Sequence, residues 1–175
     1  YYCHAADQGH VVAQTRLGFM LMHRYGVKWD YKEAVKWFKK AAEEQNFPVA
    51  KVLLAECYLL GLGVEENLEQ AIRYLSDVAQ DGNADAQFNM GMVCEHQNNF
   101  DGAKSWYKEA VKQGHAGAMA NLGDLYFHGV AGGDLYKDRN EGIRKAVEWY
   151  TRASDQGHPR GREHLGYCYY RGLGV

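Results

Sequence analysis

The residues of this sequence that could carry out chemistry begin with a Ser-x-x-Lys tetrad. Ser105 and Lys108 have the spacing of the nucleophile and its lysine in serine β-lactamases and penicillin-binding proteins. That chemistry also requires a second serine element and a Lys-Thr-Gly strand, and the sequence contains neither. A glycine-rich phosphate loop and paired carboxylates beside a nucleophile are missing as well. We therefore predict a protein that is not an enzyme and that has no cofactor.

Eight histidines raise the question of a metal site. His10, His115 and His158 end the phrases DQGH, KQGH and DQGH, so they occupy one recurring position. Ligands of one metal ion must converge in space, whereas these residues stand at helix starts one repeat or more apart. The pattern predicts a structural role, in capping or packing the adjacent helix, and no metal ligand.

The four cysteines are Cys3, Cys57, Cys94 and Cys168, and no two of them form a Cys-x-x-Cys pair. We predict separate buried thiols, because a free cysteine behaves as a small hydrophobic residue. A disulfide framework is the alternative if the protein is secreted. The sequence leaves the compartment open.

Composition and charge bear on two further classes of partner. A net charge of −2 gives no basic surface for nucleic acid. No apolar run approaches the roughly 18 residues of a membrane span, and the first residues, YYCHAADQGH, lack the layout of a signal peptide. We predict no nucleic-acid partner and no membrane span in this chain.

The elements that must position these residues form an internal repeat. An aromatic residue, from Tyr1 to Trp149, recurs five times, and a leucine or methionine follows each one after 16 or 17 residues. From each leucine or methionine to the next aromatic residue, the interval varies from 16 to 27 residues. A rigid helix–turn–helix joint that alternates with a variable loop produces this pattern, because surface loops tolerate insertions. Apolar spacings of i, i+3, i+4 and i+7 favour helices on both sides of the joint.

The QGH phrases account for the constant interval. Their glycines fall just after the aromatic helix, where a left-handed residue ends a helix at no steric cost. These glycines are Gly9, Gly82, Gly114 and Gly157. In one copy we predict that Gln45 replaces the glycine, in a joint that also gains a residue. The phrase is therefore a joint between two helices.

These residues resemble the Sel1-like repeat family, a relative of tetratricopeptide repeats. The loop pattern is present in YLLGLGV at 58–64 and YYRGLGV at 169–175, and the second-helix pattern in KEAVKWFKKAA at 32–42 and KAVEWYTRAS at 145–154. The resemblance covers essentially the whole chain. It implies an all-α fold, a right-handed α-α solenoid of antiparallel helix pairs. Because the chain begins within a second helix and stops at a loop pattern, we expect a fragment of a longer array.

Aligning the copies divides the chain into an end of a preceding repeat, four repeats and the first half of a truncated repeat. The predicted segments are 1–10, 11–46, 47–83, 84–115, 116–158 and 159–175. The fourth segment has a shortened loop at 96–102, and the fifth has a lengthened loop at 129–144. We predict that the long loop protrudes and that Ile143 begins the next helix.

The resemblance also implies a function, because Sel1-like arrays act as adaptors that assemble complexes. We predict a protein–protein interaction scaffold that binds another protein or a peptide segment. One alternative is a cell-envelope or secreted Sel1-like protein with β-lactam-binding or hydrolase activity, and another is an architectural spacer. An apolar face on the last helix, at Leu165, Tyr169 and Tyr170, predicts a homodimer through the terminal repeats.

Candidate partner-binding positions follow from the register, since the first helix of each repeat lines the concave surface of tetratricopeptide-like arrays. Two rows lie off the core stripe, two and six residues after each core leucine or methionine. The predicted partner-binding residues are Phe19, His23, Glu56, Leu60, Met92, His96, Asp124, His128, Tyr167 and Arg171. Aromatic residues and methionine supply much of the energy of protein interfaces. The competing interpretation is that Phe19 and Tyr167 cover the neighbouring repeat.

Overall fold

The protein is helical in the computed structural model, which describes residues 2–26, 28–129 and 139–175. Within those residues it has ten α-helices and no β-strand, which confirms the all-α prediction. The helices are α1 (Tyr2–Asp7), α2 (Val11–His23), α3 (Tyr31–Lys39), α4 (Pro48–Leu60), α5 (Leu68–Gln80), α6 (Ala84–His96), α7 (Phe100–Lys112), α8 (Ala116–His128), α9 (Arg139–Asp155) and α10 (Pro159–Arg171).

The chain divides into two compact units. Unit 1 spans residues 1–81 and contains α1 to α5, and unit 2 spans residues 82–175 and contains α6 to α10. In unit 1, α2 packs on α3 and α4 packs on α5. In unit 2, α6 packs on α7, α8 packs on α9, and α10 packs on α9. Helices adjacent in sequence are thus packing partners, as expected of stacked helix pairs.

A bulky side chain of the second helix rests on a small residue of the first helix in each pair. In three pairs the small residue is a glycine, and the facing pairs are Gly18 with Phe38, Gly91 with Tyr107, and Gly123 with Tyr150. A Cβ atom at Gly91 would lie 2.3 Å from Cε1 of Tyr107, so no larger residue fits there without movement. The fourth pair has Ala55 and Leu75 at the corresponding positions, both fully buried. In this pair the first helix has alanine where the others have glycine, and the second helix has leucine where the others have phenylalanine or tyrosine. The larger residue on the first helix is thus accompanied by a smaller residue on the second.

The joints between helices contain the predicted left-handed glycines, with φ angles from 78° to 92°. The prediction for the exceptional joint is wrong, because Asn46, with a φ of 51°, occupies the glycine position. Gln45 precedes it just as Gln113 precedes Gly114 in another joint. The additional residue lies in a π-helical turn, Lys40–Glu44, at the end of α3. Such a turn accommodates one inserted residue, so the register beyond it matches the other copies.

The glutamine of the QGH phrase connects one joint to the preceding one. Gln113 Nε2 donates to the carbonyl oxygen of Gly82 (2.7 Å) and to Oε1 of Gln87 (2.9 Å). Gln45 makes the same two contacts in unit 1, to the carbonyl of Gly9 (2.9 Å) and to Gln14. Gln14 is itself buried, and its Nε2 donates to a backbone carbonyl. A recurring glutamine thus satisfies polar groups that would otherwise be costly to bury.

The three recurring histidines cap helices, which confirms their predicted structural role. The Nδ1 atoms of His10, His115 and His158 accept the backbone N–H of the residue three positions later. Asn83 occupies the same position before α6 and accepts the N–H of Ala86 at 2.9 Å. Each cap satisfies one of the backbone donors that the first turn of a helix leaves without a partner. Because Nδ1 must be unprotonated to accept, each cap requires a neutral histidine.

We expect substitution of His158 to change how stability depends on pH. Burial, and then the nearby Arg160 and His115, lower the pKa of His158. Its contribution to folding is therefore present above the ordinary histidine pKa of about 6.5 and is lost as the pH falls through the lower pKa of the folded state. His158→Asn should retain a cap, like Asn83, and should lose less unfolding free energy than the wild type between about pH 7 and about pH 5.

Urea unfolding at the two pH values measures this difference. His158→Ala, which has no cap, should cost about 1 kcal/mol at about pH 7. Equal slopes with pH for the wild type and the asparagine variant would contradict the prediction.

The lengthened loop and the cysteines give two corrections. The helix after the loop includes residues from Arg139 onward, so Ile143 does not begin it; Ile143 is instead a buried residue of its second turn. Residues 130–138 of the predicted protruding loop lie outside the described residues.

The cysteines are separate free thiols, as predicted, but Cys3 is exposed whereas the other three are buried. Burial raises the pKa of Cys57 to about 12.

The last helix, α10, exposes the tyrosines predicted there. Tyr169 is 63% exposed and Tyr170 is 85% exposed, whereas Leu165 is half-buried. Homodimerisation through this face stays a prediction.

Among the described residues, no helix combines the length and the apolar character needed to cross a membrane.

Candidate functional site

Unit 2 contains three adjoining depressions on the face formed by α6, α8 and α10, and we call them together the unit 2 groove. Their volumes are about 420, 490 and 440 Å³. Asp124 borders all three, Glu95 and Arg160 border the first two, and His128 and His164 border the last two. The groove is therefore continuous along three successive first helices.

Two buried tyrosines of the second helices, Tyr107 and Tyr150, form hydrogen bonds with the residues at the floor of the groove. The hydroxyl of Tyr107 donates to Oε2 of Glu95 at 2.5 Å and accepts from Nδ2 of Asn121 at 2.9 Å. Oδ1 of Asn121 in turn accepts from Nη1 of Arg160 at 3.0 Å. These hydrogen bonds connect α6, α7, α8 and α10 through side chains alone.

Asp124 joins the second tyrosine to the same network. Its Oδ1 accepts from the hydroxyl of Tyr150 at 2.8 Å, and its Oδ2 accepts from the guanidinium of Arg160. Nε2 of His164 lies 3.5 Å from the same Oδ1. A carboxylate with partners on both oxygens is oriented before any ligand arrives, so the floor is preorganised.

The surroundings of Glu95 shift the pKa of its carboxyl group. Burial raises the pKa of Glu95, and the negative charge of Asp124 raises it further, although the hydrogen bond from Tyr107 acts in the opposite direction. Burial also raises the pKa of both Tyr107 and Tyr150 well above the ordinary phenol range. Both phenols therefore act as neutral hydrogen-bond donors.

The structure brings together most of the predicted positions in unit 2. The groove is bordered by Met92, His96, Asp124, His128 and Tyr167. His96 and His128 are exposed, Tyr167 is 48% exposed, and Met92 is half-buried. Arg171 is exposed on α10 and does not border the three depressions. Asp124 differs from the expected recognition residue, because its carboxylate is bonded within the protein.

The predicted positions of unit 1 form a separate group. The ring of Phe19 is 4.2 Å from that of His23 and 6.1 Å from that of Tyr25, so Phe19 lies half-buried beneath two other rings. Glu56 is half-buried and Leu60 is 49% exposed. The ring contacts of Phe19 are thus with residues at and just after the C-terminal end of α2.

Sequence reasoning missed several groove residues that a longer helical stripe would have included. Asn121, Asp124 and His128 are related by i, i+3 and i+7, so they share one face of α8. Arg160, His164 and Tyr167 share the corresponding face of α10. The two predicted rows began two residues after each core residue, and extending the stripe toward the helix start identifies Asn121, Arg160 and His164. No pattern in the sequence near Glu95, Tyr107 or Tyr150 predicts that their side chains form hydrogen bonds with residues of another helix.

The candidate chemical residues are arranged as follows. Ser105 and Lys108 both lie exposed on α7. Within residues 2–26, 28–129 and 139–175, no group of three or more metal-ligating side chains is placed to hold a metal ion. The groove itself offers hydrogen-bonding, charged and apolar contacts to a ligand.

The fold defines this protein as a helical-repeat protein, with the groove on the first helices of unit 2. The family model for the Sel1 repeat matches residues 11–46, 48–82, 116–158 and 161–175. A tetratricopeptide repeat model matches residues 84–113, the copy with the shortened loop. The chain therefore belongs to the Sel1 repeat family.

Similar proteins support this assignment. The chain is 31% identical over 123 residues to chitin synthase regulatory factor 4 of Schizosaccharomyces pombe, covering 69% of this chain and 19% of that protein. It is 31% identical over 143 residues to the exopolysaccharide production negative regulator of Rhizobium meliloti, covering 72% of this chain and 53% of that protein. The chain thus spans about a fifth and about half of these two relatives.

A solved structure gives the same fold. The crystal structure of a Sel1 repeat protein from Oxalobacter formigenes is 32% identical in sequence, with a TM-score of 0.72, over 94% of this chain and 66% of that one. The predicted resemblance and the solenoid fold class are confirmed. Fold and family are those of a repeat scaffold for protein–protein interactions.

Proposed function

We propose that this protein is an adaptor that binds an extended segment of a partner protein along the unit 2 groove. The observation that carries the proposal is the combination of Met92, His96, His128 and Tyr167 around a floor of mutually bonded side chains. His96, His128 and Tyr167 lie outside the hydrophobic core clusters of unit 2, whereas Met92 packs partly against one of them.

The physical character of the groove suits a protein segment. Tyr167 and Met92 offer apolar surface, and the exposed histidines offer hydrogen bonds to a peptide backbone. The bonded floor restricts side-chain motion, so less entropy is lost when a ligand binds. Methionine and aromatic residues are also enriched at protein interfaces.

We also propose that the predicted positions outside the unit 2 groove contact the partner. In unit 1 these are Phe19, His23, Glu56 and Leu60, and on α10 Arg171 extends the series beyond Tyr167. The two relatives whose names describe them as regulators fit an adaptor, which acts through its partners. An architectural spacer would instead bind nothing at the groove.

Selection of peptides from a random displayed library against this protein tests the proposal. We expect enriched peptides to lose affinity by about tenfold or more when Met92→Ala and Tyr167→Ser are combined, because both anchors are removed. The matched control is Tyr170→Ser, which removes a tyrosine from α10 outside the groove and should leave affinity unchanged. Thermal melting of each variant shows whether the fold is intact. Peptides that bind the double variant as well as the wild type would place the site elsewhere.

A further inference from the structure

We propose that the unit 2 groove binds a lysine or arginine side chain of the partner segment, and that Glu95 is the residue that receives its charge. The inference rests on the proposed function and names the chemistry of one contact within it. It is carried by the walls of the groove around Glu95, by the pairing of Arg160, and by the charge balance of the groove.

The surroundings of Glu95 match the shape of a long cationic side chain. Glu95 borders two of the three depressions, beside Met92 in the first and beside Phe100 and Leu125 in the second. Lysine and arginine have apolar stems and charged ends, so they lie along apolar surface with the charge at a polar group. Apolar walls that end at a carboxylate provide both contacts.

The cation already present in the groove, Arg160, is hydrogen-bonded to residues other than Glu95, although its charge still acts to lower the pKa of Glu95. Arg160 pairs with Asp124 and with the amide oxygen of Asn121. The carboxylate of Glu95 accepts one hydrogen bond, from Tyr107, and within the described part of the chain it forms no ion pair with lysine or arginine. A second cation therefore has a carboxylate oxygen to approach.

The charge balance of the groove favours a cation over an anion. The depressions are bordered by three carboxylates, those of Glu95, Asp124 and Glu163, and by one guanidinium, that of Arg160. The three carboxylates and the one guanidinium together carry a net charge of −2. An anionic side chain would meet Glu95 while the one guanidinium is already neutralised.

Burial makes the ionised form of Glu95 costly, and this gives the inference a second readout. Burial raises the pKa of Glu95, so its ionised form reduces folding stability above that pKa. Glu95→Gln keeps an oxygen that accepts from Tyr107 and removes the charge. We expect the variant to melt at a higher temperature than the wild type near neutral pH, with the difference vanishing below the ordinary glutamate pKa of about 4.3.

Binding by peptides enriched on the wild-type groove is the principal test. We expect a lysine or arginine at a constant position in these peptides. Its replacement by norleucine in the peptide, or Glu95→Gln in the protein, should weaken binding by about tenfold, and the two changes together should weaken it no further. Glu148→Gln, which removes an exposed carboxylate of α9 that does not border the groove, should change affinity by less than about threefold.

The outcomes separate this inference from the proposed function. Peptides whose binding is insensitive to Met92→Ala with Tyr167→Ser overturn the proposed function and this inference with it. Peptides that require Met92 and Tyr167 but contain no constant cation, and that bind Glu95→Gln normally, overturn the inference alone. A lower melting temperature for Glu95→Gln would make the carboxylate a structural support and would also overturn it.

Discussion

Gly18→Ala should destabilise unit 1 by about 2 kcal/mol, because the added methyl group has no room. Its Cβ would lie 2.5 Å from Cε1 and 2.9 Å from Cδ1 of Phe38. Phe38 is fully buried, so its ring cannot turn outward to relieve the contact. Alanine favours the helix over glycine by about 1 kcal/mol, and this gain offsets only part of the loss. Urea unfolding followed by circular dichroism measures the change.

A control and a compensating substitution come from the protein's other repeats. Gly166 occupies the same register in α10, and a Cβ there meets nothing within 4 Å. Gly166→Ala should therefore raise stability slightly, by up to about 1 kcal/mol. Adding Phe38→Leu to Gly18→Ala reproduces the Ala55 and Leu75 pair and should restore stability to within about 1 kcal/mol of the wild type. A destabilised double variant would mean that the contact does not explain the cost.

Asp124→Ala should destabilise unit 2 by about 3 kcal/mol, because it leaves the hydroxyl of buried Tyr150 without its acceptor and breaks the ion pair with Arg160. The hydroxyl of Tyr150 donates to Asp124, and Tyr150 is 1% exposed, so the substitution removes the acceptor of a buried residue. Arg160 contributes less to the cost, because its side chain is 51% exposed and can turn toward solvent. Chemical denaturation of the variant gives the free energy of unfolding.

A double-mutant cycle identifies the tyrosine as the cause. Tyr150→Phe alone should cost about 1 kcal/mol, the typical net value of one hydrogen bond. In the Asp124→Ala background the same change should cost nothing, because it removes the unsatisfied hydroxyl. Glu163→Ala, which removes an exposed carboxylate of α10, should change stability by less than about 0.5 kcal/mol. Additive losses for the first two substitutions would show that they act independently.

These two predictions concern different layers of the repeat structure, in two different repeats. The contact between Gly18 and Phe38 holds a helix pair together through shape. The bond between Asp124 and Tyr150 also joins a helix pair, but it does so through a carboxylate that borders the groove. Fold stability and groove geometry are therefore coupled in unit 2, and a groove variant must be tested for folding before its binding is interpreted.

The sequence by itself determined the features that depend on near neighbours in the chain. The joint glycines, the histidine caps and the alternation of first and second helices were all predicted from spacing, because a left-handed residue or a helix cap involves only a few consecutive residues. The family resemblance rested on the same local phrases and was confirmed by the family models. Five of the fifteen residues that border the groove were also predicted, since a helix face follows from a period of 3.6 residues.

Only the tertiary structure decided how side chains from different helices meet. Arg160 pairs with Asp124 across 36 residues, and Gln113 bonds to Gly82 across 31 residues, so neither partner lies in the other's local pattern. The π turn before Asn46 was missed because an inserted residue shows in the sequence only as a changed interval, which does not say which residue is displaced. Hydrogen bonds between helices depend on distances that the repeat period does not contain, and those bonds determine which carboxylate of the groove is satisfied and which remains available to a ligand.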